Sequence, residues 1–216
     1  MSEAVLQDLE LPAGAVMADG PDWLEPVRRS AAARFASVGF PGARDEEWRF
    51  TPVAPIAQRT WRSAPAAPAP LPAELLTPFV FGHPEWSTLV FVDGAYSESL
   101  SRIGPLPPGA LVGSLAEALR GDGELLRQHL SRHAPIDGSP FTALNTAAFR
   151  DGGLLRVPAG LELERPVHFV YLTTAAADGA AIHPRNLVVV ERGARASVIE
   201  SYVTLAPEGA YWTNPV

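Results

Sequence analysis

The sequence predicts an α+β protein: helices first, a mixed middle, and a β-solenoid at the C-terminal end. Two near-copies of one pattern carry the solenoid. Leu154-Leu155-Arg156-Val157 breaks at Pro158-Ala159-Gly160 and resumes as Leu161-Glu162-Leu163. Leu187-Val188-Val189-Val190 breaks at Glu191-Arg192-Gly193 and resumes as Ala194-Arg195-Ala196-Ser197-Val198. Each reads as strand, tight turn ending in glycine, strand; glycine suits the turn because it takes positive φ without a Cβ clash. After the turns the residues alternate. Leu161 and Leu163 oppose Glu162 and Glu164, while Ala194, Ala196 and Val198 oppose Arg195 and Ser197, which gives one inner and one wet face. Strands that bend and resume suggest successive stacked coils.

The helices come from the first half. Residues 1–20 carry a weak amphipathic pattern (Val5, Leu6, Leu9, Leu11) that ends at Pro12. Asp22 reads as an N-cap with Glu25 completing a capping box. Trp23, Val27, Ala31 and Phe35 recur every four residues as one packing stripe, and Gly39-Phe40-Pro41 closes the helix. Ser63–Pro72 is a stiff proline–alanine linker. Thr88–Val92 is a strand, and Asp93-Gly94 is a hairpin turn into Ala95-Tyr96-Ser97. Ser114-Leu115-Ala116-Glu117 is a second capping box, and Asp122 can cap a further helix through Leu125, Leu126 and Leu130. The expected organisation is therefore a helical domain over 1–62, the linker over 63–72, a mixed segment over 73–140, and first coils over 141–216.

Composition narrows the function classes. At 216 residues, 47% hydrophobic and 19% charged, the chain reads as globular. A net charge of −7 offers no broad basic surface for a phosphate backbone, which argues against nucleic-acid binding. All 17 basic residues are arginine and cysteine is absent, so this stretch supplies no lysine Schiff base, thiolate nucleophile, disulfide or Cys-ligated metal. No signal peptide and no membrane-length apolar run is evident, and a cytoplasmic location is expected.

Few residue sets suggest chemistry. Glu46 and Glu47 are candidate carboxylates, yet they equally suit the start of a short helix, paired with Arg44 or Arg49 while Trp48 and Phe50 pack. His129 and His133 lie four apart on an expected helix, so both rings could face one metal ion, with Glu124 and Asp137 near in sequence. Their flanks, Arg127-Gln128 and Ser131-Arg132, suit a solvated face instead. His168 and His183 sit in or beside strands and His83 before a proline, none spaced for a triad. Asp151-Gly152-Gly153 and Gly121-Asp122-Gly123 match no phosphate-binding loop. A sugar-processing enzyme on a solenoid would need carboxylates clustered on one strand face, whereas Glu162, Glu164 and Arg195 are scattered by sign.

Six further stretches stand out: Glu46-Glu47-Trp48-Arg49-Phe50-Thr51, Val90-Phe91-Val92-Asp93-Gly94, Phe141–Ala147, Val157-Pro158-Ala159-Gly160, His183–Asn186 with Glu200-Ser201-Tyr202, and Tyr211-Trp212-Thr213-Asn214. Together they resemble the SufB/SufD family, scaffold subunits of the SUF (SufBCD) iron–sulfur cluster assembly system, and SufD in particular by the short N-terminal helical domain. The resemblance implies an N-terminal helical domain, a right-handed parallel β-helix and a C-terminal helical segment. It implies a non-catalytic scaffold, in complex with a SufB-like paralogue and a SufC-like ABC-type ATPase, on which clusters are assembled transiently. The family's SufC-docking segment and its cluster-linked cysteine and histidine positions fall in later coils. The resemblance therefore implies no catalytic, cofactor-binding or metal residue within 1–216, and a chain that continues past Val216. A solenoid interaction module unrelated to iron–sulfur assembly is the alternative.

Overall fold

The computed structural model describes residues 20–67, 70–121 and 123–216. The amphipathic pattern expected before Gly20 and the expected Asp122 cap lie outside these residues. Among those described, the α-helices are α1 (Leu24–Val38), α2 (Ala54–Ala57), α3 (Leu115–Arg120), α4 (Glu124–His129) and α5 (Pro140–Ala148). The strands are β1 (Arg62–Ser63), β2 (Ser87–Val92), β3 (Ala95–Tyr96), β4 (Leu111–Ser114), β5 (Gly153–Val157), β6 (Val167–Thr173), β7 (Ala180–Ile182), β8 (Leu187–Val190), β9 (Val198–Thr204) and β10 (Trp212–Thr213). The fold is mixed α+β.

The chain visits three sheets in turn. One circuit runs β5, β6, β7 and the next runs β8, β9, β10, each strand pairing in parallel with its counterpart in the circuit before. The first rung is irregular: β2 and β1 pair in parallel with β6 and β7, but β4 is antiparallel to β5. Register fixes the repeat. Leu154 faces Leu187 and Glu162 bridges Arg195, both 33 residues on, whereas Val167 faces Val198, 31 on. The earlier circuit thus spends two extra residues in the corner Leu163-Glu164-Arg165-Pro166, where Leu163 stays in the core, Glu164 and Arg165 are exposed, and Arg165 reaches Glu85 at 2.9 Å.

Both glycine turns form. Gly160 and Gly193 sit at φ 73° in successive circuits, stacked close together. The stretches after them, read as strands, are not: Leu161–Leu163 and Ala194–Ser197 share only the single Glu162–Arg195 bridge. Alternation survives without the ladder, since Leu163 is buried and Glu162 and Arg195 are exposed. The Asp93-Gly94 hairpin forms with positive φ at both residues.

α1 is rotated from expectation. Its buried face is Leu24, Arg28, Ala31, Ala32 and Phe35, with Trp23 and Val27 only half-buried. Arg28 lies outside the expected stripe, and its guanidinium sits 4.4 Å over the Phe149 ring, where its stem packs and its charge meets the π face. Alanines at 31, 32 and 147 let α1 lie close on α5, and Phe35 joins Ala143 and Leu144. The Asp22 cap does not form. Leu24 N–H already donates to Pro21 O at 2.8 Å, and Glu25 pairs instead with Arg29. Ser114 does cap α3, accepting from Glu117 N–H at 3.1 Å. The expected linker opens as strand β1, whose Arg62 N–H donates to Gly179 O.

Candidate functional site

The three sheets end on the same side, at β8, β9 and β10. Among the described residues no strand pairs with the outer edge of any of them, so each presents unpaired N–H and C=O groups. The apolar side chains there are half-open to solvent: Val188, Val190 and Tyr202 are 41, 42 and 44% exposed.

Columns of side chains run through the stack to this edge. Phe91, Tyr171 and Tyr202 occupy one register position, with ring centroids 4.9 and 5.0 Å apart and planes tilted by 17° and 12°. Beside them, Leu89, Phe169 and Glu200 form the next column, which turns from apolar to acidic at the last rung. Glu200 accepts from Asn186 Nδ2 at 3.0 Å and Tyr202 OH at 2.7 Å. Asn186 Oδ1 in turn accepts from Tyr171 OH and, at 2.7 Å, from Gly153 N–H. Burial together with the neighbouring Glu200 charge pushes the Tyr171 and Tyr202 hydroxyls up, so both remain protonated donors.

A buried polar hub fixes this edge to the helices. Asn145 on α5 donates through Nδ2 to Pro184 O and Asn214 O, both at 2.7 Å. Asn214 Nδ2 donates to Phe141 O at 3.0 Å and lies 3.4 Å from His183 Nδ1. Arg185 points Nη1 at Asn145 Oδ1 and Thr146 Oγ1; burial lowers its guanidinium to about 10, which leaves it charged. Desolvation, assisted by the Arg150 charge, lowers His183 to about 4 and keeps it neutral. The Phe141–Ala147, His183–Asn186 and Tyr211–Asn214 stretches thus converge on one knot. A second node is Asp151, whose carboxylate accepts from Ser114 Oγ and the Ala116, Gly152 and Tyr96 amides at 2.7 to 3.0 Å, while burial raises its pKa.

Sequence reasoning had no role for Gly152 and Gly153. A Cβ on Gly152 would lie 2.0 Å from Arg185 O, and one on Gly153 2.4 Å from the Phe169 ring. Helix α5 was also missed, although Ser139 caps it and Pro140 opens it.

The chemistry-bearing candidates fare differently. Glu46 and Glu47 lie exposed in a 3₁₀ turn, and no ion pair joins either to Arg44 or Arg49 among the described residues. Trp48 packs on Phe141 at 4.8 Å, but Phe50 is 87% exposed, with Arg49 over its ring. His129 and His133 do come together, Nδ1 to Nε2 at 3.2 Å, although α4 ends at His129 and the second histidine lies past the helix. Glu124 accepts from Gln128 and Asp137 pairs with Arg34, so neither carboxylate joins them. No cluster of three or more His, Cys, Asp or Glu able to hold a metal occurs among the described residues. His168 is fully buried, with Nε2 2.8 Å from Ser201 Oγ. No helix among these residues is long and apolar enough to cross a membrane.

The sequence is similar to those of known proteins. An iron–sulfur cluster assembly SufBD family protein of Synechocystis sp. is 31% identical over 188 residues, covering 87% of this chain and 39% of its own length. The chloroplastic protein ABCI7 of Arabidopsis thaliana is 27% identical over 200 residues, 89% of this chain and 40% of its own. The iron–sulfur cluster assembly SufBD family protein ABCI9 of the same plant is 27% identical over 190 residues, 80% of this chain and 40% of its own. The chain spans about two fifths of the length of these relatives. Residues 13–169 match the family described as SufBD protein N-terminal region, and the chain belongs to the SufBD family.

Proposed function

We propose that this chain is the N-terminal part of a SufD-like, non-catalytic scaffold that pairs with a SufB-like paralogue and a SufC-like ATPase in iron–sulfur cluster assembly. The observation that carries the reading is the set of three sheets ending together at β8, β9 and β10, joined to membership of a family whose relatives are named for that assembly. An edge of this kind offers backbone groups in the spacing that further strands require. The parallel pairing of successive circuits supports a parallel β-helix; its right hand, a helical domain over 1–62 and a linker over 63–72 belong to the same proposal. In this reading the chain itself holds no cofactor, the cluster is cargo of the whole complex, and assembly takes place in the cytoplasm.

The test is co-purification of the whole protein with SufB-like and SufC-like proteins of its host, followed by iron and acid-labile sulfide assay. A stable complex that loses its clusters when this protein is omitted is the expected outcome. A protein that ignores both partners would overturn the proposal and leave a solenoid interaction module.

A further inference from the structure

We infer that His129 and His133 form a two-imidazole site for a borderline divalent metal ion such as Zn²⁺, Ni²⁺ or Cu²⁺. α4 stops at His129, Leu130 is extended, and Ser131 takes φ 63°, so the chain reverses and lays His133 against His129. The rings stack at 5.5 Å with planes 25° apart. Nδ1 of His129 and Nε2 of His133 are 3.2 Å apart. Metal–nitrogen bonds of about 2.0–2.1 Å at an angle of roughly 100° place two ligating nitrogens about 3.2 Å apart, so the observed spacing is that of adjacent ligands on one ion.

The turn is anchored. Leu126 and Leu130, either side of His129, are 1% and 5% exposed and pack with Leu119, Phe149 and Leu187. Ordering two imidazoles costs little where the backbone is already held. The nitrogen that now carries the shared hydrogen gives it to the far nitrogen of its own ring through solvent, and both lone pairs then face the ion. Water fills the remaining positions on the open side. Two neutral nitrogens select Zn²⁺, Ni²⁺ or Cu²⁺ over the oxygen-seeking Mg²⁺ and Ca²⁺. The exposed Arg127 and Arg132 oppose a cation, so the site depends on its two nitrogens.

Competition within the chain is small. It has five histidines and no cysteine. His168 is 0% and His183 7% exposed, and His83 stands alone, stacked on Trp86 with its Nδ1 accepting from Glu85 N–H.

The test uses the protein without a histidine tag, stripped of metal and titrated with Zn²⁺ alone against a chromophoric chelator, with the imidazole proton resonances followed in parallel. One equivalent is expected to bind and to shift the His129 and His133 resonances together. His133→Gln, at an exposed position, and His129→Gln should each weaken binding at least tenfold, and His83→Gln should leave it unchanged. Absence of saturation in the millimolar range overturns the assignment. So does equal affinity in His133→Gln, or a shift confined to other histidines.

Discussion

β6 and β9 are neighbours in the same sheet, paired residue for residue over seven positions, yet they live in different surroundings. β6 is buried along its whole length; β9 alternates half-buried and exposed. Their sequences, VHFVYLT and VIESYVT, differ where this matters: Phe169 stands opposite Glu200 and Val170 opposite Ser201. β6 has a strand on each side and the Leu71–Phe81 region over its outer face, whereas β9 has a partner on one edge only. In a stack of circuits, then, burial depends on whether a rung has neighbours on both sides, and not only on which face a side chain takes.

The contrast can be broken most sharply with glycine. Gly152→Ala drives a Cβ into the Arg185 carbonyl between two circuits, and backbone on both sides leaves no room to yield. A loss of about 3 kcal/mol or more is expected in urea unfolding. Gly193→Ala, at a turn with φ 73° where a Cβ would only touch Gly160 Cα at 4.0 Å, should cost only about 1 kcal/mol of backbone strain. Similar losses at the two positions would refute the difference between inner and outer rungs.

Large-to-small changes in the two strands form the next comparison. Phe169→Ala empties a fully buried position and should cost about 3–5 kcal/mol. Tyr202→Ala removes a ring that is 44% exposed and stacked on one side only, and about 1 kcal/mol is expected. Thermal midpoints of both variants would check the ratio.

The junction between the circuits should respond to acid. An unfolded His183 titrates near 6.5 and the folded one near 4, so between these values the unfolded state binds a proton that the folded state excludes. Stability therefore falls as pH drops from about 6.5 to about 4, by up to about 3 kcal/mol in all, and levels off below. Asp151 acts oppositely, because its raised carboxyl gains its proton earlier in the folded protein. The His183 contribution is thus read as wild type minus His183→Gln across the pH series. A difference that stays constant with pH would exclude a neutral buried imidazole. Smallest of all, Glu85→Gln should change stability by less than about 0.5 kcal/mol at moderate salt, since the Glu85–Arg165 pair is half exposed on both sides.

Much of the fold was legible because its signals are local. The Asp93-Gly94 turn, the Ser114 cap, the β8 run and the two glycine corners each depend on a few adjacent residues. Three features have causes that no local pattern carries. Arg28 belongs to the packed face of α1 only because Phe149 lies opposite. The stretches after the glycine turns keep their sidedness but meet in a single bridge, Leu163 N–H donating to Arg195 O and Arg195 N–H to Leu161 O, because the corner that follows has two more residues in one circuit than in the next. Gly152 and Gly153 look like loop residues until Arg185 and Phe169 arrive from other strands. The hub of Asn145, Arg185 and Asn214 was visible as three conspicuous stretches, but their convergence is a property of the coil length.

That coil length is not constant, and the corner at Leu163–Pro166 absorbs the two-residue difference. A strand cannot absorb one, because a single-residue slip turns every side chain to the opposite face. The molecule therefore has places where its length can drift and places where it cannot. Relatives that have gained or lost residues since they diverged should have done so at such corners. An epitope, a fluorophore or a protease site inserted at Glu164-Arg165 should leave the ladders on both sides in step.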